Sequence, residues 1–272
     1  MNNKKNPKVE KVLKELDEEI KSKDETEPTL NVWDIPKIDV HVHLGVEPKG
    51  DKFNPSKLAK DMKEFNVRKA VIFPFNTQPK DGFKKANDMI YRLHTKYAPL
   101  IGFSRIDPKH GQWEDEMERA LKLGMKGFKF HPFAQGFECD QIGTCYEKAV
   151  ELDLPILIHS AHKQGKYIDQ LKGIIPSYPD LILILGHAGI TEQRDAIRMC
   201  NEMENVYMEL SINPKHRVEV LTLMVDENKM MFGSDSPYGG IEKTLECMDI
   251  GWKNDERMKK VFYENAKRVL RI

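Results

Sequence analysis

Four cysteines in 272 residues, none of them in CxxC spacing, exclude a disulfide framework, because a chain this long can bury a core without staples. Cys139, Cys145, Cys200 and Cys247 read as free thiols of a reducing cytosol, so a cytoplasmic protein is expected. No run of eighteen apolar residues occurs, and Met1-Asn2-Asn3-Lys4-Lys5 opens a charged stretch without an apolar signal core. Neither membrane insertion nor secretion is expected. Neither sign of charge is in excess: Lys+Arg and Asp+Glu number 43 each, which gives no bulk attraction to nucleic acid or to an anionic membrane. A Gly-rich phosphate turn after the first apolar run is also missing, which argues against an open dinucleotide-binding sheet.

What is present is a regular alternation. From residue 35 short apolar runs alternate with longer amphipathic stretches, the pattern of successive βα units on a parallel sheet. Strands are predicted at 38–44, 70–73, 100–106, 127–131, 155–159, 181–187, 206–210 and 230–233, each followed by a helix. That count predicts an α/β fold, a (β/α)8 TIM barrel spanning 35–272. Asn54-Pro55 predicts a capped helix start before Leu58, Met62 and Phe65. Residues 1–34 are expected to form a charged N-terminal helical extension, because Val9, Val12, Leu13, Leu16 and Ile20 recur at helical spacing. Such a stripe would pack on the barrel or on a second subunit of a homo-oligomer; a solvated disordered tail is the alternative.

The chemistry starts in Ile38-Asp39-Val40-His41-Val42-His43-Leu44. Strict alternation would turn Asp39, His41 and His43 to one face and Val40 and Val42 to the other, with the two imidazoles near enough to share one ion. On its own this HxH is equally a pair of hydrogen-bonded histidines. In a barrel, however, catalytic residues gather at the carboxyl ends of the strands. His43, His131, His159 and His187 all fall there, and strand eight runs into Ser234-Asp235-Ser236-Pro237. Three imidazoles and a carboxylate with an open position suit Zn²⁺, with Mn²⁺ or Fe²⁺ as alternatives.

The stretches Ile38–His43, Gly127-Phe128-Lys129-Phe130-His131-Pro132, Leu154–His159, Leu185-Gly186-His187-Ala188-Gly189 and Phe232–Pro237, in this order, make the chain resemble the amidohydrolase superfamily. The branch is the one that groups small metal-dependent hydrolases with enzymes of the aminocarboxymuconate-semialdehyde decarboxylase type. The resemblance implies His41, His43, His159 and Asp235 as ligands of one divalent ion, with Asp235 and His187 as catalytic acid/base groups. In relatives with two ions a carboxylated lysine on strand four bridges them. Lys129 stands on that strand, but one ion is the expectation here, with Lys129, His131 and Arg105 toward the substrate.

Hydrolysis of a small amide, ester or lactone by metal-activated water is the first functional expectation, Asp235 taking the water proton. Nonoxidative decarboxylation on the same site is the alternative. A cation holding a carboxylate would favour it, and Arg105 is the candidate, unless it forms a structural salt bridge with Asp107 or another acid. A TatD-type phosphoesterase lacks its Gly-Glu-Ile-Gly-Leu-Asp-like segment here. An inactive metal-binding scaffold would show a closed metal site without a pocket. Phe73-Pro74-Phe75-Asn76, Phe133–Phe137, Ser160, His162 and Tyr238 are candidate pocket-loop residues, and Asp39 a brace beneath the ligands.

Overall fold

The computed structural model describes residues 31–47, 50, 52–77, 80–161, 165–249 and 255–272, together with 11, 14, 15 and 18. Those last four are helical and exposed; the apolar positions expected to make the N-terminal stripe lie outside the described residues, as does His162.

Eight parallel strand positions close into a barrel. In chain order the strands are β1 (Lys37–Val46), β2 (Lys52–Phe53), β3 (Val67–Pro74), β4 (Leu100–Gly102), β5 (Ser104–Arg105), β6 (Phe128–Phe130), β7 (Ile156–His159), β8 (Leu183–Gly186), β9 (Val206–Glu209) and β10 (Met230–Met231). β2 is a short antiparallel addition to the end of β1 that the sequence pattern did not announce. β4 and β5 are one predicted strand in two pieces. β4 pairs with β3 and β5 with β6, and between them Phe103 donates its N–H to Ile72 O at 2.9 Å. Phe103 can sit there because Gly127 has no side chain: a Cβ at Gly127 would lie 2.5 Å from its ring. β10 closes onto β1 through Val40 N–H to Phe232 O at 3.0 Å and His43 N–H to Ser236 O at 2.8 Å.

Period-two alternation divides the strand side chains between two cores. Ile38, Val40, Val71, Phe73, Ile101, Phe103, Leu157, Ile184 and Met231 fill the barrel, whose floor is covered by Ala266, Val269 and Leu270 of the last helix. The alternate residues, among them Val42, Ile72, Phe128, Phe130, Ile156, Ile158, Leu183, Leu185, Met208 and Phe232, face the surrounding helices. Each fully buried apolar side chain contributes about 1.5–3 kcal/mol by transfer from water, so both layers are needed for stability. The first helix, Pro55–Glu64, starts as its sequence predicts: Asn54 Oδ1 accepts from Lys57 N–H at 3.0 Å, with Pro55 in the first turn. Within the last helical stretch, residues Lys260–Glu264 take a π turn, and Val261 O accepts the N–H of Phe232 at the end of β10.

Candidate metal centre and active site

A bulge in β1 sets the position of the histidines. Asp39 pairs with Ala70 and Val42 with Ile72, so Val40 and His41 together oppose Val71 alone. Val40 and His41 both face the interior, and His43 follows two residues later. This corrects the simple alternation: Asp39, flanked by inward Ile38 and Val40, falls out of step with the two histidines. Its Oδ1 accepts from His41 N–H at 3.1 Å and Ser234 N–H at 2.9 Å, tying β1 to the segment that carries Asp235. Burial raises the Asp39 carboxyl to about 7 against those hydrogen bonds.

Above the bulge one donor atom each from His41, His43 and Asp235 lie within 4.8 Å of one another. Asp235 Oδ1 is 3.2 Å from His41 Nε2 and 3.1 Å from His43 Nε2. The other nitrogen of His41, Nδ1, lies 2.8 Å from Glu209 Oε1. A carboxylate accepts only, so Nδ1 carries the proton and Nε2 turns its lone pair to the site. His43 Nδ1 has no partner among the described residues. Burial raises the Asp235 carboxyl well above its usual range, opposed by Lys129, and Asp235 holds a left-handed backbone at φ 53. For a non-glycine residue that conformation costs on the order of 1–3 kcal/mol, and here Gly239 N–H to Asp235 O at 2.9 Å and Gly240 N–H to Ser234 O at 3.1 Å hold the turn.

His187, at φ 62, and His159 form the opposite wall. His159 Nε2 is 2.7 Å from the carbonyl of Ala161, and its Nδ1 is 3.0 Å from His187 Nε2. Burial holds both imidazoles well below their usual pKa, His159 at about 3, so both are neutral at rest. A carbonyl accepts only, which fixes His159 as the Nε2–H tautomer with a bare Nδ1. His187 then donates from Nε2 and accepts at Nδ1 from Ser211 Oγ, 2.7 Å away. The Ser211 hydroxyl has a second acceptor, Glu209 Oε1, at 3.0 Å. His131 stacks on His159 at 3.8 Å, with Nδ1 accepting from Ala134 N–H.

Beneath these rings lie two buried cations. Lys129 Nζ is 3.2 Å from His41 Nε2, and burial together with Arg105 lowers its pKa to about 7. Arg105 has no solvent exposure; its Nε donates to Pro74 O at 2.9 Å, and neither Nη1 nor Nη2 has a partner among the described residues. The anticipated salt bridge to Asp107 is not formed. Burial pulls Arg105 down to about 9, which leaves it charged at neutral pH. Asn87 fixes its backbone, accepting Arg105 N–H and donating to Arg105 O.

Arg105, His43, His131, His187 and Asp235 share a cavity of about 270 Å³, closed on one side by Asn76, Ile212 and Tyr238. At roughly 30 Å³ per water it has room for about nine waters, or one small ring with substituents. His43 stands in an aromatic corner against Phe75 and Tyr238, each at 5.3 Å.

The donor set fits a divalent ion. His41 and His159 each have an outer acceptor that turns a lone pair inward, His43 Nε2 faces the same Asp235 oxygen as His41 Nε2, and the imidazoles are neutral and buried beside a carboxylate. His41, His43 and Asp235 converge on one group of donor atoms. His159 stands against His187 and outside that group of three donors. Lys129 packs under His41, while Arg105 and His131 line the cavity. Glu209 was missed: it ends β9 and is the centre of a second donor group with His41 and His187. Its one signal in the sequence is a carboxylate closing the apolar run Val206-Tyr207-Met208, at the strand end where a barrel keeps its chemistry.

A family model described as amidohydrolase matches residues 38–272. No curated protein matches the chain. Among solved structures, a Staphylococcus aureus protein described only as an amidohydrolase is 20% identical with a TM-score of 0.72, over 88% of this chain and 100% of its own. A 5-carboxyvanillate decarboxylase from Novosphingobium aromaticivorans, complexed with manganese and 4-hydroxy-3-methoxy-5-nitrobenzoic acid, is 17% identical with a TM-score of 0.71, over 92% and 100%. The 2,6-dihydroxybenzoate decarboxylase from Rhizobium is 14% identical with a TM-score of 0.67, over 87% and 98%. At these identities the likeness establishes the fold.

Proposed function

Because the chain belongs to the amidohydrolase family, we propose that it is a metal-dependent enzyme acting on a small carboxylic acid and that its reaction is nonoxidative decarboxylation. The observation that carries this reading is Arg105, a buried guanidinium whose two Nη atoms have no hydrogen-bond partner among the described residues, on the wall of the cavity that holds the metal donors. A buried charge without a partner costs several kcal/mol, and a substrate carboxylate offsets that cost by bidentate pairing. A neutral ester, lactone or amide does not. The fold shared with manganese-containing decarboxylases supports the same reading.

His41, His43, His159 and Asp235 would hold a divalent ion, zinc or manganese, which when bound supplies a Lewis acid that orients and polarises a substrate oxygen. Arg105 anchors the carboxylate. Because CO₂ is neutral, that ion pair weakens as the reaction proceeds, so Arg105 contributes to binding more than to turnover. To act as the acid His187 must be protonated on both nitrogens, a form that Glu209, 3.6 Å from its Nδ1, and a bound carboxylate favour against the opposing effect of burial. Nδ1–H is then donated to Ser211 Oγ, whose own proton goes to Glu209. The bond between carbon and carboxylate breaks, its electron pair remains on the carbon, that carbon takes the Nε2 proton of His187, and CO₂ leaves.

Hydrolysis is the second reading, supported by the family description and by Asp235, whose carboxyl among the ion donors could take a proton from water. Purified protein loaded with zinc or manganese should release CO₂ from small aromatic or unsaturated carboxylic acids. Turnover of neutral esters, lactones or amides without CO₂ release, unaffected by Arg105→Gln, would overturn decarboxylation in favour of hydrolysis. An open cavity above the donors speaks against an inactive scaffold.

A further inference from the structure

Glu209 has no exposed surface and is surrounded by donors. Oε1 accepts from His41 Nδ1–H at 2.8 Å and from the backbone N–H of His187 at 2.5 Å. Oε2 accepts from Ser211 N–H at 2.9 Å. The Ser211 hydroxyl adds a further donor on Oε1 whenever His187 is charged. With both oxygens engaged by donors of this chain, Glu209 is suited to holding His41 and His187 in place.

The chain that follows β10 makes room for it. A Cβ on Gly233, at the end of β10, would lie 2.3 Å from Glu209 Oε2 and 3.2 Å from His41 Cβ. A Cβ on Gly186, at the end of β8, would lie 2.9 Å from Ile158 O and 3.5 Å from Glu209 Oε1. Neither glycine has positive φ, so backbone freedom does not explain them. The space they leave does. Glycine at the centre of Phe232-Gly233-Ser234 is therefore a packing requirement of Glu209, on the neighbouring strand, whereas at Gly186 it is the Ile158 carbonyl that leaves no space for a Cβ.

We infer that Glu209, seated between Gly186 and Gly233, is the positioning residue of the site. It sets His41 as the Nδ1–H tautomer, so that Nε2 offers its lone pair. It also fixes the left-handed backbone of His187, from which that ring reaches the cavity. One buried carboxylate thereby aligns a ligand on β1 and an acid/base group after β8.

The test uses the full chain. In metal-free protein the ¹⁵N shifts of His41 should report a single Nδ1–H tautomer, and Glu209→Gln should turn this into a mixture. Affinity for zinc or manganese, titrated directly, should fall about 10- to 100-fold in Glu209→Gln at unchanged far-UV circular dichroism. Gly233→Ala should be destabilised by its clash with Glu209, and Glu209→Ala in the same chain should restore stability, a non-additive pair. An unchanged His41 tautomer in Glu209→Gln, or additive destabilisation in the double variant, overturns the inference. The affinity measurement rests on the metal reading proposed above, while the tautomer and the double variant do not. A wild-type chain that binds no ion would sink that reading and leave these two readouts to decide the role of Glu209.

Discussion

Lys129 Nζ lies 3.2 Å from His41 Nε2, the nitrogen whose lone pair Glu209 leaves facing the site. Lysine and metal ion therefore compete for the same lone pair, and an incoming ion must displace the lysine N–H. Lys129→Met removes the competitor and one positive charge. The variant is expected to bind one ion per chain at least as tightly as the parent, by elemental analysis and titration. Loss of metal on this substitution would instead speak for a carboxylated lysine that bridges two ions.

Arg105→Met should separate binding from stability. Losing a charge-assisted pair weakens carboxylate binding by about 1.5–3 kcal/mol, roughly 10- to 150-fold, expressed in KM more than in kcat. Removing a buried charge with no acidic partner among the described residues should at the same time raise the unfolding free energy by about 1–3 kcal/mol in denaturant titrations. Weaker binding together with lower stability would mean that the Nε–H bond to Pro74 O and the Phe73 and Phe83 rings outweigh the cost of burying the charge.

Lys37 plugs the opposite end of the barrel. Its ammonium donates to the carbonyls of Trp33, Ile35 and Phe65 at 3.0, 2.7 and 2.9 Å, using its three donors. Lys37→Met leaves those carbonyls unpaired and should cost about 2–4 kcal/mol in chemical denaturation, with metal affinity unchanged because the site lies at the other end.

The cysteines give a pH dependence. Burial pushes the thiols of Cys145 and Cys200 up to about 12, and burial with Glu138 and Asp140 raises Cys139 further. Between about 9 and about 12 the folded chain keeps thiol protons that the unfolded chain loses, so these groups make stability fall as pH rises through that window. Wild type should lose stability more steeply above pH 9 than Cys145→Ala/Cys200→Ala. At pH 8 a thiol reagent should label native protein at half-buried Cys247 and spare the other three.

Much of the fold is legible in the sequence because its causes are local. The apolar runs that end in His43, His131, His159 and His187 become strands at the predicted places, and the Asn54-Pro55 start becomes a capped helix. The bulge at Val40–His41 was not legible, since an HxH run carries no record of how many residues the neighbouring strand sets opposite it. The two-piece third strand was hidden likewise, because it depends on the Phe103 ring finding space over Gly127.

By itself the sequence determined the barrel order and the polar residues at its strand ends, His43, His131, His159, His187 and Asp235, because strand period and strand ends are written in consecutive residues; the choice of His41, His43, His159 and Asp235 as candidate ligands came from the family resemblance. Tertiary structure alone decided how those residues are used. That Glu209 reaches His41 across the barrel, that Gly233 makes room for it, that Arg105 has no acidic partner among the described residues and that His159 leans on His187 are all relations between distant segments. Hydrogen bonding and charge act over a few ångströms in space, and only closure of the barrel brings residues as far apart in sequence as 41 and 209 to that distance.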